Sequence, residues 1–303
     1  MILNNFKNVL TITFMTNIYS AELPLVSVII PFFNDSGWLI EALESVINQD
    51  YPAWEAIVVD DGSELQHSNI AKDFCSRYPA KIKYTNHDNH INLGVTISRN
   101  MGVAKSSGTY LAFLDADDKW FCDKLKNQIH LFKKFPAAQM ICEASQFWYS
   151  WNNAEAEDII IPIGVLPDTL YPCRSLIKKL YPLADGASPC PSGIIIRKSA
   201  FERSGGFEPA FSGIYTLYED QAFLAKIYLN ETIFISGSAN NLYRKRANSM
   251  SSAVNDKTIY EKVRKFFLNW LELYLVDQNI KDVEISSLIT HAYEQMDHNI
   301  SQV

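Results

Sequence analysis

Ala56-Ile57-Val58-Val59-Asp60-Asp61-Gly62-Ser63 decides the fold, because a run of apolar, mostly β-branched residues passes without a break into two acids and a turn. A short apolar run bounded by turn residues reads as a buried strand. The same arrangement recurs on both sides of it. Upstream, residues 26–30 form a first buried strand, with Pro31 expected to close it, since proline has no N–H to give to a ladder. A helix over residues 39–48 follows, with Leu39, Ala42, Leu43, Val46 and Ile47 on one face. Downstream come a helix over 69–78, a strand over 82–85, a helix over 95–105 and a strand over 110–114. That last strand also ends in acids, Asp115-Ala116-Asp117-Asp118. Strands alternating with helices predict an α/β fold, a mostly parallel sheet with helices on both faces. Ligands of such sheets bind outside the carboxyl ends of the strands, so acids at two of those ends should face one crevice.

Composition agrees with a large globular chain. Its 303 residues are 48% hydrophobic and 13% aromatic, enough to bury a sizeable core and too apolar for disorder. A net charge of -7 excludes a broad nucleic-acid-binding face, which needs clustered Lys and Arg. The five cysteines, Cys75, Cys122, Cys142, Cys173 and Cys190, are scattered and never in a CxxC pair. Neither a zinc site nor a disulfide framework follows from them, and a reducing compartment is expected. No apolar run reaches the roughly 18–20 residues of a membrane span. Residues 1–23 read as a loose leader, a poor signal peptide with Met15 as an alternative start.

Beyond Lys134 the regularity fades. A strand is expected over 140–149, a loop rich in proline and acid over 152–172, order again over 188–197 and 204–207, and a helix over 218–229. Loops of that kind often carry specificity. Residues 256–275 place Ile259, Val263, Phe266, Phe267, Trp270, Leu271 and Tyr274 at helical spacing, giving an aromatic face that suits packing on the main domain. Contact with a membrane surface is the other use of such a face. The expected division is a leader (1–23), a main domain (24–253, with halves 24–125 and 126–253) and a helical extension (254–303).

The chemistry rests on the acids. A divalent ion held by one or two carboxylates neutralises charge growing on a phosphate leaving group, and Asp115, Asp117 and Asp118 can supply them. Each acidic cluster can equally be a turn or helix cap. The six histidines show no ligand spacing and read as surface or loop residues.

The order of these pieces resembles family 2 glycosyltransferases of the GT-A fold. Val26 to Pro31 with Asn34, then Asp60-Asp61-Gly62-Ser63, Asn92-Leu93-Gly94, Ser98-Arg99-Asn100 with Gly102, and Gly108-Thr109-Tyr110 leading into Phe113 to Asp118 carry the likeness, densely over 26–125 and loosely to Ser251. The resemblance implies an inverting sugar transferase that takes a nucleotide-sugar donor, UDP-sugars favoured, and a glycan or lipid-linked acceptor. It implies Pro31, Phe33, Asn34, Asp60 and Asp61 as nucleotide-sugar-binding residues, with Asp61 on the base, Asp60 nearby supporting the turn, and Pro31 and Phe33 lining the nucleoside pocket. Arg99 is directed at the donor or salt-bridged to Asp61, Asp115 with Ala116 lies by the ribose or sugar, and Asp117 with Asp115 holds Mn²⁺ or Mg²⁺. In Tyr218-Glu219-Asp220 the implied general base is Asp220, with Glu219 in reserve, although a helix N-terminus also welcomes carboxylates for capping. Ser192, Gly193 and Gly206 look like the acceptor side.

One departure stands out in Tyr243-Arg244-Lys245-Arg246, followed by Ser249 and Ser251. The family often carries histidine where this chain has Arg246. Arginine cannot ligate a metal but can neutralise a diphosphate, so Arg246 is assigned that role; a solvated basic loop is the alternative. Two rival functions would leave different marks on the sequence. A nucleotidyltransferase or dinucleotide enzyme should carry a glycine-rich phosphate loop after the first strand, and Pro31-Phe32-Phe33-Asn34-Asp35 is not one. A sugar-nucleotide binding protein without activity should have lost the metal acids or the base, and all are present. The expected setting is cytoplasmic, with peripheral contact at the inner face of the membrane, adding single sugars to a surface polysaccharide, lipopolysaccharide or related glycan.

Overall fold

A computed structural model describes residues 23–246 and 256–300. The expected leader, Ser249, Ser251 and the boundary at 253 lie outside the described residues, apart from Leu23.

Eight strands make the central sheet. In its first half β1 (Val26–Phe32), β2 (Trp54–Asp60), β3 (Ile82–Asn86) and β4 (Tyr110–Phe113) alternate with α1 (Ser36–Ile47), α2 (Leu65–Ser76) and α3 (Val95–Ala104). These strands are parallel and stand in the order β3-β2-β1-β4. Every residue of β1 and β2 is buried, as a parallel sheet covered on both faces requires. Alternate residues part to opposite faces: Val28, Ile30 and Val58 pack with Leu39, Leu43 and Val46 of α1. Ile29, Ile57 and Val59 pack with Val103 of α3 and with the second half. A Cβ at Gly102 of α3 would stand 2.5 Å from Ile29 Cγ2, so only glycine lets this helix lie so near the sheet.

Pro31 does not close the first strand. β1 continues to Phe32, with Pro31 in register with Val59. In a parallel strand alternate residues bond to opposite neighbours, and Ile29, whose carbonyl accepts from Leu114 N, faces β4. Pro31 faces the same way just past the end of that ladder, where its missing N–H costs nothing.

The chain order reverses between β1 and β4, which makes a switch point at their carboxyl ends. Beyond β4 the sheet is mixed. β10 (Ile194–Arg197) runs antiparallel between β4 and β6 (Met140–Glu143), then β11 (Ile233–Ser236) is parallel to β6, and β9 (Thr169–Tyr171) is an antiparallel edge. The expected strand over 140–149 is two strands. It changes sheets at Ala144, and β7 (Ser145–Trp148) joins β5 (Lys119–Trp120), β8 (Ile159–Ile161) and β12 (Asn241–Arg244) in a small second sheet. The expected loop over 152–172 thus holds two short strands, β8 and β9.

Five more α-helices follow among the described residues: α4 (Lys124–Lys134), α5 (Lys198–Arg203), α6 (Glu219–Asn230), α7 (Lys257–Asp277) and α8 (Val283–Ile300). Asp256 caps α7 by accepting from Thr258 N (3.0 Å) and Ile259 N (3.2 Å). Val263, Phe267, Leu268, Leu271 and Leu275 of α7 are buried in the same cluster as Phe223 and Ile227 of α6, so the aromatic helix packs on the main domain. No helix among the described residues is long and apolar enough to cross a membrane.

Candidate active site

Asp60 and Asp61 end β2 and then part ways. Asp60 is wholly buried and turned into its own loop, where Oδ1 accepts from Ser63 N (2.8 Å) and Oδ2 from the hydroxyls of Ser68 and Tyr84 (2.5 Å each). Burial alone would raise its pKa, and these hydrogen bonds outweigh that and lower it. Asp60 is a fastening of the turn and does not line the cavity expected to take the nucleoside. Asn34 is likewise a fastening, since its N–H donates to Ser63 Oγ (2.9 Å) and its Oδ1 accepts from Glu64 N (2.7 Å). Gly62 completes the loop at φ +78, where a Cβ would stand 2.6 Å from Asn92 N.

Asp61 reaches the other way. Its carboxylate accepts from Leu93 N (2.8 Å) and Gly94 N (3.0 Å), which ties the β2 turn to the start of α3 and explains why Asn92-Leu93-Gly94 accompanies Asp60-Asp61. His87 Nε2 lies 3.3 Å from Asp61 Oδ1 and 2.7 Å from Ser98 Oγ. It lies in a loop, one of the two places expected for the histidines, and is buried there.

Arg99 does not pair with Asp61. From α3 its guanidinium bridges the two halves of the chain, with Nη2 2.6 Å from Asp115 Oδ1 and Nη1 hydrogen-bonded to Glu219 Oε1. The Phe207 ring lies 5.0 Å beneath it. The two carboxylates hold Arg99 charged despite its burial.

The turn after β4 divides its acids by depth. Asp118 points inward, where its oxygens accept from Ser192 Oγ (2.6 Å) and Arg244 N (3.0 Å). Burial, with the nearby charges of Asp117 and Asp115, raises its pKa well above the carboxylate range. Asp117 is raised too, by burial and the charge of Asp115, against the attraction of Arg246. Arg246 donates to Asp117 Oδ2 while lying 4.4 Å over the Trp38 ring. Among the described residues no three His, Cys, Asp or Glu side chains converge as a metal cage. A divalent ion would therefore rest on Asp115 and Asp117 and complete its shell with substrate phosphate and water, a donor set that suits Mg²⁺ or Mn²⁺.

Glu219 and Asp220 open α6. Glu219 is pushed up to about 7 by burial against the pull of Arg99, and its Oε2 is buried without a hydrogen bond. Burial likewise pushes Asp220 up to about 6, although its Oδ1 accepts from Gln221 N (2.7 Å). Both therefore titrate near neutral pH, where a proton acceptor works best.

One cavity of about 530 Å³ gathers these groups. Pro31, Phe33, Asp61, Arg99, Asp115, Ala116, Asp117, Glu219, Asp220 and Arg246 all line it. The expected acceptor residues do not. Ser192 is buried behind the acidic turn on Asp118, a Cβ on Gly193 would meet the Glu143 carbonyl at 3.0 Å, and Gly206 packs on Asn100 and Phe201. Small residues there serve close packing, and the preceding stretch, Ala187 to Pro191, lines the cavity instead. Sequence reasoning also missed Trp38, Trp148 and Trp151, which sandwich Arg244 and Arg246. No arginine adjoins a tryptophan along the chain, so the sequence carried no signal for this pairing.

Over 108 residues the chain is 39% identical to the putative teichuronic acid biosynthesis glycosyltransferase TuaG of Bacillus subtilis, covering 35% of this chain and 41% of that protein. It is 28% identical over 258 residues to the uncharacterized glycosyltransferase RP339 of Rickettsia prowazekii, covering 84% and 74%. Among solved structures, residues 1-349 of S. aureus TarS in complex with UDP-GlcNAc share the fold with a TM-score of 0.65 at 20% identity, covering 89% of this chain and 72% of that one. The chain spans as little as 17% of the length of one curated relative and 74% of another. The model of glycosyl transferase family 2 matches residues 27–205, more than half of the sequence, and the chain belongs to that family.

Proposed function

We propose that this chain transfers one sugar from a nucleotide-diphosphate donor, a UDP-sugar by preference, to an acceptor hydroxyl with inversion. The observation that carries the proposal is Arg99, which bonds at once to Asp115 of the β4 turn and Glu219 of α6 inside one cavity that Asp61, Asp117 and Asp220 also line. Donor-holding acids and proton-accepting acids thus lie within the span of one guanidinium.

In this reading Asp61, held still by two backbone amides, accepts from the imide N–H of the base, and Pro31 with Phe33 covers the nucleoside. Asp115 and Ala116 lie by the ribose and sugar. Asp115 and Asp117 hold Mn²⁺ or Mg²⁺, which when bound neutralises the leaving diphosphate. Arg246 adds a fixed positive charge on the same side, and Arg99 sets the positions of Asp115 and Glu219 from below. Asp220 takes the proton as the acceptor oxygen attacks the anomeric carbon from the face opposite the diphosphate. Glu219 adjoins it and is the reserve base. The stretch from Ala187 to Pro191, with Thr216 and Leu217, receives the acceptor. The relative TuaG, named for teichuronic acid biosynthesis, supports a surface glycan as product, built on the cytoplasmic side from lipid-linked or free acceptors.

The test is nucleotide release from UDP-, dTDP- and GDP-sugars by the purified chain with Mn²⁺, beside Asp117→Ala and Asp220→Ala. Release with one donor, lost in both variants, supports the assignment. Donor binding without release, with candidate acceptors present, points to a binding protein.

A further inference from the structure

We propose that Tyr260 and Arg264 of α7, beyond the residues matched by the family model, are positioning residues for the catalytic pair, acting through Tyr218 immediately before Glu219. The inference rests on the reading of Glu219 and Asp220 as the proton-accepting pair.

Three tyrosine hydroxyls from distant parts of the chain meet here. Tyr181 OH is hydrogen-bonded to Tyr218 OH and lies 3.1 Å from Tyr260 OH. Arg264 Nη1 donates to Tyr260 OH (3.2 Å), and its Nη2 lies 3.5 Å from the Pro182 carbonyl. Arginine can only donate, so Tyr260 accepts from it, and the hydroxyls of Tyr260, Tyr181 and Tyr218, each able to donate or accept, carry the chain of bonds on to the residue before Glu219. Tyr218 is 2% exposed, and its ring packs 5.5 Å from Phe267 of the same helix.

The rest of α7 grips the same segment. Phe266 stacks on Tyr215 at 4.0 Å, and Trp270 meets Phe211 edge-on at 5.3 Å. Between these anchors and α6 run Thr216 and Leu217, which line the cavity.

The first turn of α6 needs such a hold. Its N-cap, Tyr218, makes no side-chain cap hydrogen bond, and the one strong tie of its acids to another element is Glu219 with Arg99. A 3-10 turn over Gly213–Tyr218 leads straight into α6, with Glu219 N donating to Thr216 O, so the acids stand as firmly as that turn does. Here α7 holds the turn, through the Tyr218 hydroxyl and through its aromatic contacts with Phe211 and Tyr215.

Full-length Tyr260→Phe, which keeps the ring, and Arg264→Met, which removes the donor, test the proposal, with Arg264→Lys as the conservative variant. Loss of alignment should lower kcat about tenfold while KM for the donor stays put, because donor contacts lie elsewhere. Arg264→Lys should recover part of the loss. The acid limb of kcat should also move below about 6, because a looser α6 start lets water reach Asp220 beside Glu219, Arg99 and Asp115. Amide hydrogen exchange at residues 219–222 should quicken in Tyr260→Phe while that of α4 does not. A lowered melting temperature with kcat, acid limb and exchange at 219–222 all unchanged would show a purely structural role and overturn the inference. If the wild type turns over no donor at all, the reading of the site fails, and the exchange measurement alone still decides whether α7 holds the start of α6.

Discussion

Two acidic dipeptides line up in this molecule and are treated in opposite ways. Asp60-Asp61, at the end of β2, is surrounded by donors: three for Asp60 from Ser63, Ser68 and Tyr84, and the backbone amides of Leu93 and Gly94 for Asp61. Glu219-Asp220, at the start of α6, is buried with fewer donors, Glu219 Oε2 having none, and both groups are pushed up to about 7 and 6. Hydrogen bonds to a carboxylate favour its charge, and burial disfavours it. The first pair is therefore held in place, and the second is the pair to which the proposed function gives the exchange of a proton.

The largest effect that could break this contrast is expected at Asp220. Asp220→Asn removes the proposed base but keeps the shape, so kcat should fall by about 10²–10⁴-fold with donor affinity unchanged, read by steady-state kinetics. The wild-type kcat should carry the matching signature, present above about 6 and lost as pH falls through that value, because the base works deprotonated. A loss of donor binding with unchanged kcat would place Asp220 among the holding acids.

Asp60 should show the reverse. Asp60→Ala takes the acceptor from Ser63 N, from the Ser68 hydroxyl and from the half-buried Tyr84 hydroxyl, at about 1–3 kcal/mol for each donor left unpaired. Urea unfolding should report a loss of at least about 3 kcal/mol, with any kinetic change following from the disordered turn. Normal stability with lost donor affinity would return Asp60 to the nucleoside. A smaller effect is expected between the two pairs: Arg246→Ala removes a charge-assisted contact of about 1.5–3 kcal/mol, raising the donor KM about tenfold or more. Unchanged donor affinity and turnover would make Arg246 a plain partner of Asp117.

The same contrast separates what the sequence could reveal from what it could not. β1 and β2 are buried on both faces, so their apolar runs announce themselves and the acids that follow mark the switch point. Pro31 misled because its N–H side faces beyond the end of β4, which depends on the length of another strand. In the second half the deciding pairings are non-local: β10 slots antiparallel between β4 and β6, and the chain leaves one sheet for the other at Ala144. Arg99 shows the same limit within the site. Its fork calls for acids, but the choice of Asp115 and Glu219 over Asp61 is made by a helix 120 residues further on. Ser192 and Gly193 signal close approach without saying to what, and the answers were Asp118 and the Glu143 backbone.

The finest test lies in how the two pairs couple to stability. Folding raises the Glu219 pKa from 4.5 to about 7, so the folded state holds this proton more tightly than the unfolded chain does. Its contribution therefore favours folding below about 4.5 and is lost as pH rises to about 7. Asp60, whose pKa folding lowers from 3.8, contributes with the opposite sign, in full above 3.8 and lost as pH falls through its folded value. Glu219→Gln imitates the protonated acid and can still accept from Arg99, so it should match the wild type at pH 4.5 and exceed it above pH 7. The gain should be roughly 2–4 °C in Tm, the shift that about 1 kcal/mol makes in a domain of some two hundred residues. A difference that stays flat across that window would mean that Arg99 keeps Glu219 charged throughout, leaving Asp220 alone as the acid that can give and take a proton.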